Sequence, residues 1–168
     1  MQWFDWMTLG IVLATAVIQA VRAGKAGGMG LPLFEGAGVI VAATGATGLS
    51  GPLAQALNMQ KATVMIILFI VFTVLAFVVG RGLFSLTNWS FQSMDGFFGF
   101  VWGFAMGWAI AHMVLRIIIE SQGTNGPVAA GMENAVIARE VFQFRTWNSL
   151  MQLLFKAKLG PDFNPDVG

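Results

Sequence analysis

Hydrophobic residues gather along this chain in four long runs, at residues 4–21, 34–57, 62–80 and 96–119, separated by short polar or glycine-rich stretches. A helix needs about 20 mostly apolar residues to cross a hydrocarbon core about 30 Å thick, so each run predicts a membrane-spanning helix. The third run, ATVMIILFIVFTVLAFVVG, contains no charge. The second carries Pro52 and several glycines, which weaken a helix in water but are commoner in membrane helices. RAGKAGGMGLPL predicts a flexible loop between the first two spans, NMQK a short link, and RGLFSLTNWSFQS a connection at headgroup level. In that last stretch Phe84, Trp89 and Phe91 stand among Ser, Thr and Asn, and Trp3 and Trp6 suit the same layer at the chain start.

After Ser121 the pattern changes. GTNGP breaks the chain, and then Ile137, Val141, Phe144, Met151 and Leu154 recur at spacings of three, four and seven. Glu133, Arg139, Glu140, Arg145 and Lys156 fall among them, which predicts an amphipathic helix within 132–158. Such a helix lies on the membrane surface or on the protein's own loops. LGPDFNPDVG ends as an irregular tail. The expected architecture is an all-α integral membrane protein with about four transmembrane helices plus a C-terminal amphipathic surface helix. Its transmembrane domain would cover 1–120, with helix and tail over 121–168.

Composition points the same way. Hydrophobic residues make up 57% of the chain and charged residues 10%, against about 25% charged in an ordinary globular protein. The lipid bilayer is the first expected partner. A net charge of +1 gives no basic footprint for nucleic acid. With no Cys, disulfides and thiolate metal sites are excluded. The first residues, MQWFDWMTLG, hold no Lys or Arg, and no A-x-A-like site follows, so a cleaved signal peptide is not expected. Four spans put both termini on one side. Arg22, Lys25 and Arg81 near the spans favour outward-facing termini; the tail's Arg139, Arg145, Lys156 and Lys158 favour the opposite.

Candidate chemistry is sparse. TGATGLSG after VIVAA resembles the glycine-rich turn of a dinucleotide site, but no acid follows about 20 residues later to bind a ribose. Gly45 and Gly48 of that stretch read instead as small residues at a helix contact. The fourth span repeats the theme. Gly99, Gly103 and Gly107 form consecutive G-x-x-x-G steps, Gly96 shares their face, and Ala111 extends it. Apolar side chains gain little by leaving lipid, so close backbone approach drives helix association, and this face needs a near neighbour. An intrachain neighbour is favoured over a second copy.

His112, Arg116 and Glu120 stand four apart on the opposite side of that helix. Arg116 and Glu120 can pair near its end. His112 lies deeper, where a hydrogen bond to a neighbour outweighs the alternatives of a proton relay or axial ligation of haem or chlorophyll. No cofactor or metal is expected. Asp95 is placed to cap the fourth helix, with a buried pair to Arg81 or Arg22 as the alternative, and Glu35 and Asp5 read as helix-start acids. No pair of acids, Ser-His-Asp set or metal-spaced cluster is visible, so the chain is not expected to be an enzyme.

The layout resembles the colicin V production (CvpA) family of bacterial inner-membrane proteins over residues 3–119. The resemblance rests on Asp5 at the first span, Arg22 and Gly24 in the turn after it, Glu35 at the second span, and MDGFFGFVWGFAMG with Asp95, Gly99, Gly103 and Gly107. Gly96 and Met106 stand where the family pattern carries basic residues. The resemblance implies a multi-pass protein of the bacterial inner membrane that supports export or envelope homeostasis. The alternative expectation is an accessory subunit of a larger respiratory or photosynthetic membrane complex, held through helix packing to a protein partner or as a homo-oligomer. Polar positions inside the second and third spans are few: Thr44, Thr47, Ser50, Thr63 and Thr73.

Overall fold

A computed structural model describes residues 1–26 and 28–144, and these contain helices and turns but no strand. Four long helices run α1 (Trp3–Ala26), α2 (Gly30–Leu57), α3 (Lys61–Thr87) and α4 (Asp95–Gln122). All four are long and apolar enough to cross a membrane. The chain therefore has the build of a multi-pass membrane protein.

The helices outrun the hydrophobic pattern that predicted them. α2 begins at Gly30 rather than 34, and α3 continues to Thr87 rather than 80, so much of the two predicted connections is helical. Hydropathy marks the thickness of hydrocarbon, whereas a helix ends where the backbone turns away. Asn58 and Asn88 make those turns, with φ 51° and 46° in the left-handed region that asparagine tolerates. The Asn88 N–H bonds back to the Phe84 carbonyl at 2.7 Å. Pro52 lies within α2 without ending it.

α1 runs antiparallel to α4, since Gly99 lies beside Ala23 and Gly107 beside Val12. α2 runs antiparallel to α3, with Gly38 beside Ala76 and Gly45 beside Phe72. The two pairs meet where α2 passes α4, at Gly36 against Met106 and Ala46 against Met113. Ile66, Ile70, Val74 and Val78 leave one side of α3 bare. In a bilayer that surface contacts lipid.

A short helix, α5 (Pro127–Gly131), follows the break after α4. Among the described residues of the 132–158 stretch, the expected helix is divided into a 3-10 turn at Met132–Asn134 and α6 (Ile137–Gln143). α6 stops at Phe144, whose φ is 51°. Arg145, Met151, Leu154 and Lys156 of the predicted helix lie outside the described residues. The apolar face of the described part is covered by the protein itself. Val128, Ala138, Val141 and Phe142 share one core with Phe4 and Val12 of α1 and Leu115 and Ile119 of α4. A spacing of three and four shows that one face is apolar but not what covers it, and here the end of the bundle does.

Candidate functional site

The polar and small residues singled out in the sequence fall into three places. The first is the seam between α1 and α4. A Cβ added at Gly99 would come within 2.6 Å of Ala23 Cβ, at Gly103 within 2.8 Å of Ala16 Cα, and at Gly107 within 2.8 Å of Val12 Cα. Any side chain there would force the helices apart, which is the condition G-x-x-x-G packing satisfies. Gly96 is looser, with Ala20 O at 3.8 Å. In the other pair a Cβ added at Gly45 would meet the Phe72 ring at 3.2 Å, but one added at Gly48 would meet nothing within 4 Å, so no close approach requires glycine there. The tighter α2–α3 approach lies at Gly38, where a Cβ would sit 2.6 Å from Ala76 Cβ, and at Gly80 on α3, 3.1 Å from the Glu35 nitrogen. Neither glycine belongs to a G-x-x-x-G run, so spacing did not single it out.

The second place is the bundle end where the α1–α2 and α3–α4 turns meet. Glu35 is wholly buried there and is not a helix-start acid, because α2 starts one turn earlier at Gly30. Arg22 holds it in a two-pronged bond: Nη1 donates to Oε2 at 2.5 Å and Nη2 to Oε1 at 2.8 Å. Gln19 donates from Nε2 to Glu35 Oε2 at 3.1 Å and accepts Arg22 Nη1 on its own carbonyl oxygen at 3.0 Å. Arg81 approaches from α3 with Nε 3.9 Å from Oε1. The Arg22 guanidinium also lies 5.9 Å from the centre of the Phe77 ring. A parallel double bond between guanidinium and carboxylate is among the strongest side-chain contacts, and it fastens α1 to α2.

Asp95 does not pair with Arg22 or Arg81, which belong to Glu35, and it does not cap its own helix. Its carboxylate gathers the approach to α4. The Phe91 N–H donates at 2.7 Å, the Ser90 hydroxyl at 2.5 Å, and the Met29 N–H, just before α2, at 3.0 Å. Gly30 N–H adds a bond to Trp89 O at 3.0 Å. One buried acid thus ties the two turns at this end together. Asp5 does the same work at the far end. Its Oδ1 accepts the N–H groups of Val136, Ile137 and Ala138 at 3.1, 2.9 and 2.9 Å, and Oδ2 accepts Gln2 N–H at 2.8 Å. It therefore serves the Gln2 N–H just before α1, in whose first turn it stands, and also the orphan donors at the start of α6.

The third place holds His112, Arg116 and Glu120. His112 is buried, with Nδ1 3.2 Å from the Val141 carbonyl oxygen. Its ring stacks on Phe142 at 5.3 Å between centres and 21° between planes. Arg116 and Glu120 do not form the expected pair: Glu120 is taken by Lys61 at the start of α3, at 3.2 Å. α3 runs antiparallel to α4, which brings Lys61 to the end of α4, a contact that sequence distance conceals. His112 and Arg116 line a cavity of about 420 Å³ between α2 and α4, with Gly48, Thr44 and Thr47 on its other wall. Among the described residues no group of three or more His, Asp or Glu side chains is placed to hold a metal ion.

No family model, curated protein or solved structure matches the chain.

Proposed function

We propose that the chain is a CvpA-like, non-enzymatic protein of the bacterial inner membrane, serving export or envelope homeostasis as a helical platform. The observation that carries this reading is the use made of the polar residues on which the family resemblance rests. Asp5, Arg22, Glu35 and Asp95 each bind another part of the same chain, and Gly99, Gly103 and Gly107 each allow α1 to approach α4. An acid saturated by structural donors is poorly placed to move a proton or ferry an ion. Two hydroxyls within α2 are occupied locally, Thr44 donating to Ile40 O at 3.0 Å and Ser50 to Thr47 O at 3.0 Å, and that of Thr47 turns to Met113 Sδ on α4 at 3.8 Å. A transporter instead arranges polar groups along a path at mid-depth.

The second reading, an accessory subunit of a larger complex, draws on the bare apolar side of α3. Lipid covers such a surface as well as a partner does, so the first reading is preferred. Extraction of the native protein in mild detergent, followed by mass and absorption measurements, separates the two. A small colourless particle containing only this chain is expected. A large particle of fixed stoichiometry, with or without pigment, would replace the platform with a subunit.

A further inference from the structure

We propose that the cavity between α2 and α4 holds one anionic phospholipid, with its headgroup phosphate on Arg116 and an acyl chain along the apolar wall. Arg116 presents five N–H donors and no acceptor. Among the described residues it makes no hydrogen bond and no ion pair, because Glu120, one turn further on, is held by Lys61 at 3.2 Å. With Glu120 balanced by Lys61, the positive charge of Arg116 remains on the cavity wall. An arginine inside the span of a membrane helix is costly until an anion or water reaches it. Phosphate oxygens match the guanidinium fork, two donors to two acceptors.

Depth fits the same occupant. α4 has 28 residues and ends at Gln122. At about 1.5 Å per residue, Arg116 lies ~11 Å from the helix midpoint, against a hydrocarbon half-thickness of ~15 Å. Its long side chain can therefore reach the headgroup boundary. The cavity continues from there toward the membrane centre. Ala109, on the same wall, is ~10 Å deeper by the same rise. Opposite it stand Ile40 and Thr44, whose hydroxyl already bonds within α2. Gly48 opens the space beside Arg116, since a Cβ there would meet nothing within 4 Å. A cation at the mouth and an apolar wall running inward have the layout of a lipid, head outward and tail inward. At about 420 Å³ the cavity suits one acyl chain, and the rest of the lipid stays in the bilayer. His112 gives its Nδ1 to the Val141 carbonyl and so helps to fix the wall on which the chain lies.

The site depends on the membrane placement and not on the cellular role proposed above; a large complex on extraction would overturn that role and leave this site intact. The test is native mass spectrometry of the full chain in mild detergent, titrated with phosphatidylglycerol, phosphatidylcholine or oleate. One phosphatidylglycerol per chain is expected to remain bound in preference to phosphatidylcholine. Arg116→Gln should weaken that binding about tenfold or more, the loss expected for a hydrogen bond to a charged group. Gly48→Leu keeps the cation but fills the cavity, and should displace phosphatidylglycerol to a similar extent. Circular dichroism checks that both variants remain helical. Equal retention of the two phospholipids by the native chain would overturn the proposal. So would unchanged phosphatidylglycerol affinity in both helical variants, or binding of oleate with no preference for phosphatidylglycerol.

Discussion

Arg22 and Arg116 stand near opposite ends of the bundle, each inside a helix able to span a membrane, and their surroundings differ. Arg22 meets a wholly buried carboxylate on the neighbouring helix, with Gln19 bracing both. Arg116 faces a cavity, and the acid one turn along its own helix is bound to a lysine of another. The first arginine is part of the scaffold. The second has no hydrogen bond or close ion pair among the described residues. Spacing along one helix favoured a pair between Arg116 and Glu120, and tertiary contact decided otherwise.

The comparison can be broken most severely at Glu35. Glu35→Ala leaves Arg22 without its main counter-charge, and removing one partner of a buried ion pair costs about 3–5 kcal/mol. Strongly reduced accumulation and a lower Tm in detergent are expected, whereas Arg116→Gln in the same detergent without added lipid should change Tm little. Equal losses in the two variants would erase the distinction. The next effect belongs to the α1–α4 seam. Gly103→Leu forces a side chain into space already occupied by α1, and overpacking costs about 1–3 kcal/mol or more. Gly48→Leu, also in a helix but facing open space, should fold normally, so thermal unfolding of the two separates contact from glycine content. The smallest effect is at the far end. Asp5→Ala removes the acceptor for three N–H groups at the start of α6, for which a lost helix cap suggests about 1–2 kcal/mol. Faster amide hydrogen exchange at Val136, Ile137 and Ala138, with α2 unaffected, is the readout.

Much of the fold was legible because lipid makes a simple demand. Four apolar runs long enough to span gave four helices, and glycines spaced by four gave the face of α4 that meets α1. Helix ends were less legible, since α2 and α3 continue through the polar stretches until Asn58 and Asn88 turn the backbone. The nearest helix start accounts for one bond of Asp5, to the Gln2 N–H, but not for its other bonds or for those of Asp95 and Glu35. Asp5 serves a segment more than a hundred residues away, Asp95 serves the turn before α2, and Glu35 serves α1. Each choice follows from which helices are neighbours, which a single sequence without an obvious charge pattern does not reveal. A buried acid still carries one usable signal: it must find donors, and Gln19 and Arg22, three apart on α1, provide them for Glu35.

The small residues of α4 and the polar residues of the spans pack one chain onto itself. The absence of cysteine allows a direct test. Gly96 has room for a side chain, with Ala20 O of α1 at 3.8 Å. A double variant, Ala20→Cys with Gly96→Cys, can be treated in native membranes with a short thiol cross-linker, and the product sized under denaturing conditions. A cross-link within one chain is expected, shown by loss of both thiols at monomer mass. A cross-linked dimer, or two thiols that remain free, would contradict it.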